Sequence, residues 1–390
     1  MSCGANGGVT ASRSTRLTAQ IREAARRLGF FKMGALAARP LPRSREFDLW
    51  LQKGMQGEMQ YLERQSAKRK DPALVLENVR SLLVLAMNYH SGHELSNDPL
   101  RGKISRYAWG GDYHLVTRDR LRRLADFIRQ QDPKARCLYY VDTGPVMEKV
   151  WGAESGLGWM GKHSNLITRE RGSWFFIGIL LLDITLEYDV PEEDYCGTCT
   201  RCITACPTGA IVAPYVVDAR LCVSYLTIEL RGAVPRGLRP LMGNRIFGCD
   251  DCQEVCPWNR FASKTDEKEY YPLRGNLMPE LARLVDLTPR EFESRFAASA
   301  IRRATRDGFV RNVAVALGNA RRPEAIPPLS RALHDASPLV RSHAAWALGQ
   351  IAAGEALTLL EKARASEPDP QVIEEITLAL GRSAPPWFRC

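Results

Sequence analysis

Four cysteines fall within eleven positions, at Cys196, Cys199, Cys202 and Cys206, and Pro207 follows the last. This is C-x2-C-x2-C-x3-C-P, the bacterial ferredoxin run, in which closely spaced thiolates on one loop wrap an iron–sulfur cube. The fourth cysteine of such a run ordinarily reaches a second cluster, so further thiolates are required. Cys222 and the stretch GCDDCQEVCPWN, with Cys249, Cys252 and Cys256, supply them. By the crossover rule Cys196, Cys199, Cys202 and Cys256 hold one four-iron cluster, and Cys206, Cys222, Cys249 and Cys252 hold the other. Zinc sites use C-x2-C pairs, and a triplet closed by C-x3-C-P does not fit them. Clustered cysteines also speak for metal ligation in a reducing compartment over disulfides. Cys3, Cys137 and Cys390 are assigned no role.

The loops that carry these thiolates need a scaffold, and 390 residues suggest two or three domains. Leu17, Ile21, Ala24, Ala25 and Leu28 recur at helical spacing, and Gly29 stops the helix over 15–30. SLLVLAMNY (81–89), CLYYVD (137–142) and WFFIGILLL (174–182) read as strands, with RDRLRRLADFIRQ (118–130) as a helix between them. The last of these runs is too short to span a bilayer. The expected class is α+β. An α/β N-terminal domain covers 1–190, a ferredoxin-like two-cluster domain covers 191–262, and a linker with α-helical HEAT-like repeats covers 263–390. Ala-Leu-Gly triplets begin at 316, 347 and 379, a period that marks stacked helical hairpins. The polar stretch KTDEKEYYPLRG (264–275) reads as the linker.

Lys and Arg number 54 against 44 Asp and Glu, a formal charge of +10 that suits a nucleic-acid partner without proving one. The repeats would present Arg302, Arg303, Arg306 and Arg311, with more arginines at 321, 322 and 341, to a large phosphate-bearing partner. The N-terminus MSCGANGGVTASRSTR has no apolar core of a secretory signal, so a soluble cytoplasmic protein without a membrane partner is expected. GLGWMGKHS (156–164) contains G-x-G-x-x-G, but a helical stretch rather than a strand precedes it, and His163 stands where a P-loop needs a hydroxyl. A loop with Lys162, His163 and Ser164 can still line another pocket. GDYHLVT (111–117) partly matches D-x-H-x-x-G, whose histidine ligates cobalt in some cobalamin proteins. Thr117 replaces its glycine, and the stretch reads as a turn before the helix at 118.

Several segments together resemble the epoxyqueuosine reductases. They are SRYAWGGDYH (105–114), VDTGPVMEK (141–149), GLGWMGKHS (156–164), CPTGAIVAPYVVDARLCVSYLTIELRG (206–232), LMGNRIFGCDDCQEVCPWNR (241–260) and RNVAVALGNA (311–320). The likeness runs over about residues 17–320 and more loosely through the repeats; Gly111 stands where arginine is expected. It implies a tRNA-modifying oxidoreductase that reduces the epoxide of epoxyqueuosine, at the wobble base, to the alkene of queuosine. The implied cofactors are two 4Fe-4S clusters and cobalamin, resting as cob(II)alamin in the N-terminal domain. The implied partners are a tRNA anticodon stem-loop and an unidentified low-potential electron donor, acting on a monomer.

The resemblance also names residues. Asp142, at the end of CLYYVD, is the proton donor and a cofactor contact, and burial is expected to raise its pKa. Arg106, Tyr107, His163, Ser164, Ser224 and Asp250 are the other cobalamin contacts. Without a full D-x-H-x-x-G, no histidine is expected beneath the cobalt. Arg231, Arg302, Arg303 and Arg311 are the tRNA contacts. Removing an epoxide oxygen takes two electrons, and two clusters in series form a wire that passes them singly to a second cofactor. A cobalamin-dependent reductive dehalogenase, acting on a small molecule, is the second reading. Such enzymes usually carry an export signal and do not call for a basic repeat arm. A plain electron carrier, the third, needs no large N-terminal domain.

Overall fold

The computed structural model describes residues 12–382, so Cys3 and Cys390 lie outside the described residues. Its N-terminal part is built on a four-stranded sheet in the order Lys32–Ala37, Ser81–Asn88, Phe175–Leu182 and Cys137–Tyr140. Every pairing is antiparallel. Ser81–Asn88 is buried along its whole length. Alternate side chains of a strand point to opposite faces, and here both faces are covered, so the run has no polar alternation. Leu83, Leu85 and Met87 pack under the helices Arg13–Arg27 and Tyr113–Gln131, against Leu17, Ile21, Leu121 and Leu124. Leu82, Val84 and Ala86 pack on the other face against Trp151 of the helix Glu148–Glu154. Cys137 is buried in the edge strand, and burial pushes its thiol up to about 11.

Two sequence expectations are corrected. Helix Tyr113–Gln131 begins before residue 118, because the Asp112 carboxylate accepts the His114 N–H and caps it. The stretch 264–275 is not a free linker. Thr265 Oγ1 donates to the Asn88 carbonyl at 2.7 Å, the Tyr270 hydroxyl bonds to Thr117 at 2.9 Å, and Glu267 pairs with Arg120 at 2.8 Å. Thr265, Glu267 and Tyr270 thus tie the stretch to the end of strand Ser81–Asn88 and to helix Tyr113–Gln131.

The C-terminal arm stacks the helices Arg306–Ala320, Ile326–Ala332, Pro338–Ile351, Gly354–Ser366 and Pro370–Arg382. The Ala-Leu-Gly period has a packing cause. A Cβ on Gly318 would lie 2.7 Å from Ala347 Cα, and one on Gly349 would lie 2.6 Å from Ala379 Cβ. The glycine of each triplet thus admits the alanine of the next. One apolar core runs from Ile104 and Trp109 through Val223 and Phe247 to Leu317, Trp346 and Ala379. Asn312 Nδ2 fastens the arm to it by donating to the carbonyls of Thr227 and Ile246. Among the described residues no helix is long and apolar enough to cross a membrane.

Candidate functional site

The short helices Arg201–Ala205 and Asp251–Glu254 carry Cys202 and Cys252 and pack on each other. Cys222 leads into the helix Val223–Ile228. Two cavities result. Cys196, Cys199, Cys202 and Cys256 line an outer one of about 220 Å³. Cys206, Cys222, Cys249 and Cys252 line part of an inner one of about 510 Å³. The eight thiols are divided between the two spaces as a crossover of the two motifs would divide them. Burial pushes the Cys249 and Cys252 thiols far up, so a cluster there must displace their protons.

The inner cavity gathers Tyr107, Asp142, His163, Ser164 and Ser224, with Tyr113, Lys149 and Phe176. It does not gather Arg106 or Asp250. The Asp250 carboxylate is buried beneath the wall, where it accepts from the Ser105 hydroxyl and, at 2.8 Å, from the Arg106 N–H. Burial pushes it up to about 6. The Arg106 guanidinium turns into a separate cleft, 5.0 Å from the Trp109 ring and 5.5 Å from Trp174, and donates to the His93 carbonyl. Both residues therefore brace the Ser105 segment and do not stand on the cavity wall. Their place beside cavity residues in sequence did not reveal which way they point.

The glycines of GLGWMG serve close packing. A Cβ on Gly156 would lie 2.2 Å from the Val190 carbonyl, and one on Gly158 would lie 2.0 Å from that of Ile167. They bring the loop tight enough for Lys162 Nζ to donate to the carbonyls of Gly197 and Cys199 at the outer cavity. The next residue, His163, lines both cavities.

Asp142 departs from expectation. Its backbone sits at φ 59°, and so does that of Ser164, at 60°. Such left-handed non-glycine positions cost about 1–3 kcal/mol and collect at functional sites. Its carboxylate is ringed by protein, yet 69% of the side chain faces the open mouth of the cavity. Tyr113 donates to Oδ2 at 2.8 Å, and His114 Nε2 stands 3.6 Å from the same oxygen. Burial alone would raise its pKa; the bonds from His114 and Tyr113 and the His114 charge outweigh it and hold the carboxyl below its ordinary value. The proton resides on His114 instead. Burial works against that charge, but Asp112, 2.7 Å from Nδ1, and Asp142 together raise the imidazole to about 9. His114 is the residue that sequence reasoning passed over as a turn. Its signal was the Asp-x-His pair, read for a metal and not for a proton.

Two buried polar atoms in this region have no partner, His163 Nε2 and Glu148 Oε1. Burial, with Lys149 nearby, lowers His163 to about 4, so its ring is neutral. Burial also raises Glu148 to about 8, helped by the Asp142 charge.

Arg231, Arg302 and Arg303 are exposed on the arm side. Arg302 pairs with Glu293 at 2.9 Å and Arg303 with Glu229 at 2.8 Å, and the Arg303 charge lies within the field of Asp142. Arg231 Nη1 donates to the Arg303 carbonyl. Arg311 is different. It is fully buried and donates to the carbonyls of Leu226, Leu230 and Gly232, so it cannot meet a phosphate; it holds the loop that presents Arg231. Arg306 and Arg341 are likewise turned inward, onto Asp335 and Glu367.

A two-cluster ferredoxin-type domain opening on a proton-bearing cavity, with a HEAT-like arm beside its mouth, defines an iron–sulfur oxidoreductase for a large substrate. Three family models match: "4Fe-4S double cluster binding domain" over 195–259, "Epoxyqueuosine reductase QueG, DUF1730" over 69–143 and "HEAT repeats" over 296–381. The chain is 42% identical over 339 residues to the epoxyqueuosine reductase of Escherichia coli strain K12, covering 86% of this chain and 89% of that one. It belongs to the epoxyqueuosine reductase family. A crystal structure of an epoxyqueuosine reductase with an epoxyqueuosine-modified tRNA-Tyr stem loop superposes at TM-score 0.87 and 32% identity, covering 94% of this chain and 99% of that chain. A Bacillus subtilis relative, solved with the loop of its catalytic aspartate swung out of the active site, gives 0.86 and 31%, covering 95% and 99%.

Proposed function

We propose that this protein reduces epoxyqueuosine to queuosine at the wobble base of tRNA, in the cytoplasm and as a monomer. The observation that carries the reading is the meeting of the inner thiol set and the Asp142–His114 pair on one cavity. The net reaction takes an epoxide, two electrons and two protons to an alkene and water. The clusters pass the electrons one at a time from a low-potential donor.

The inner cavity fits cobalamin. It offers an aromatic wall at Tyr107, Tyr113 and Phe176, and the unpartnered His163 Nε2 and Glu148 Oε1 suit the amide arms of a corrin. Tyr107, Asp142, His163, Ser164 and Ser224 would hold it beside the inner cluster. When bound, the cofactor supplies a strongly nucleophilic reduced metal, chemistry that belongs to the cofactor and not to the chain. The chain supplies one of the two protons. His114 carries it at neutral pH, Asp142 stands between His114 and the mouth, and the Tyr113 hydroxyl fixes Oδ2. The proton passes from His114 Nε2 through Asp142 to the oxygen that leaves. The swung-out loop of the Bacillus subtilis relative supports a mobile acid, and the strained backbone at Asp142 suits such a loop.

The relative bound to a stem loop supports a tRNA partner, and Arg231, Arg302 and Arg303, exposed on the arm side, are the phosphate contacts of this reading. Removing one cation from a phosphate should flatten the slope of log affinity against log salt by roughly 0.7–0.9. Arg302→Ala with Arg303→Ala should therefore weaken tRNA binding at low salt and flatten that slope, which filter binding across a salt series will read. The reading as a whole is tested by incubating anaerobic holoprotein, epoxyqueuosine-containing tRNA and dithionite, with and without cobalamin, and weighing the digested nucleosides. Queuosine that appears only with cobalamin is the expected result. Its absence from protein with full iron and bound cobalamin would remove the reading and reopen the small-molecule alternative.

A further inference from the structure

A second, open cleft of about 1150 Å³ lies beside the outer thiol cavity and shares Cys256, Arg201 and Arg260 with it. Around the outer thiols the chain reaches solvent at Gly197, Thr198, Thr200 and Thr204. The cleft carries four cations, Lys103, Arg106, Arg201 and Arg260, against two carboxylates, Glu94 and Glu254. Arg106 answers Glu254 at 3.3 Å. Lys103, Arg201 and Arg260 have no carboxylate partner among the described residues. Next to them Phe261 leaves 43% of its surface exposed under the Arg260 guanidinium, 4.6 Å from the ring centroid. Unanswered cations, one of them over an exposed aromatic at the cleft's side, make a face for an acidic protein: charge steers the encounter, and the ring and the arginine are the residue types that carry binding energy.

We infer that this cleft is the docking face for an acidic one-electron carrier protein of the flavodoxin or ferredoxin class, which hands electrons to the outer cluster. The inference rests on the proposed function only in taking the outer thiols to hold a four-iron cluster. Each docking oxidises the carrier by one electron and takes the cluster from its 2+ to its 1+ state. Two dockings supply the two electrons that, with two protons, remove the epoxide oxygen as water. The surface fits a carrier better than RNA because its floor is a cluster ligand, Cys256, and its arginines border the thiol loops, away from the arm arginines beside Asp142.

The test uses anaerobic holoprotein, with purified flavodoxin and ferredoxin as probes. The Kd of each oxidised carrier, at low and moderate salt, is compared for the wild type, for Arg201→Glu with Arg260→Glu, and for Lys103→Glu. Lys103 belongs to no cysteine loop, but its strand pairs with Arg245–Phe247 ahead of Cys249, so iron content is read for both variants. The expected result is a Kd raised at least tenfold with little remaining salt dependence, and carrier-driven queuosine formation reduced in step. Dithionite-driven formation, iron content and tRNA affinity should not move. Equal Kd values in wild type and variants overturn the docking face, as does a wild type that binds neither carrier at low salt. A loss of tRNA affinity in place of carrier affinity reassigns the cleft to RNA and overturns it too. A wild type that makes no queuosine even with dithionite fails the proposed function, while the Kd comparison still judges the docking face.

Discussion

Asp142→Asn lowers queuosine formation by about 10²–10⁴-fold, the usual range for a positioned proton donor, while tRNA affinity and iron content stay unchanged. Asparagine keeps the shape of the side chain and can still meet the Tyr113 hydroxyl, but it cannot relay a proton. It also removes one of the two carboxylates that hold His114 at about 9. The wild type should therefore keep its rate up to about pH 8 and lose it as pH rises through about 9, where His114 gives up its proton. In the variant the residual rate should fall at lower pH, because only Asp112 still supports the charge. The sign for stability follows from the same shift. His114 is raised above its ordinary 6.5, so its contribution is complete below 6.5 and disappears as pH passes about 9. Single-turnover nucleoside analysis of pre-reduced enzyme between pH 6 and 10 reads the first effect, and melting of His114→Gln against wild type over that range reads the second. A rate that stays level through pH 10, or an asparagine variant with more than a tenth of the wild-type rate, would take the relay away from this pair.

Arg311→Met should lower stability by at least about 3 kcal/mol, since each of three buried acceptors left without its donor costs about 1–3 kcal/mol. Methionine fills much of the volume but leaves the carbonyls of Leu226, Leu230 and Gly232 without their donor. The charge itself is under pressure: burial, and then Arg231, push Arg311 down to about 10. The melting temperature of holoprotein should fall by roughly 10 °C, at about 2–4 °C per kcal/mol for a large domain. The salt slope of tRNA binding, measured below the melt, should keep its wild-type value, whereas substitutions at Arg302 and Arg303 flatten it. A wild-type melt with a flattened slope would return Arg311 to the phosphate contacts.

Arg311 shows where reading a sequence stops. Its neighbours Val310, Val313 and Ala314 announce a buried helix face by their spacing, but an arginine among them reads as a surface cation until the carbonyls from 226–232 are seen around it. Thiolate spacing, the apolar runs of the central strands and the Ala-Leu-Gly triplets were legible because each pattern is local and its geometry is periodic. Tyr270 and Thr265 were not: polar residues that bond a distant helix and the end of a central strand look like those of a linker. Arg106 and Asp250 lie in segments that the resemblance covers, yet which side of a wall they occupy depends on Ser105 and two tryptophans. His114 was visible as part of an Asp-x-His pair, but the second carboxylate that raises it, Asp142, lies twenty-eight residues further on, across a distance that no spacing rule records.

The apolar core that runs unbroken from Ile104 to Ala379 has a bearing on ancestry and engineering. A repeat arm joined by a hinge can be traded between proteins, lengthened or discarded. This one cannot, because its first helix is a wall of the iron–sulfur module. Shortening the chain before residue 306 would strip Val223, Phe247 and Met242 of their cover and expose them to water. A minimal catalytic fragment must therefore keep at least the first hairpin of the arm.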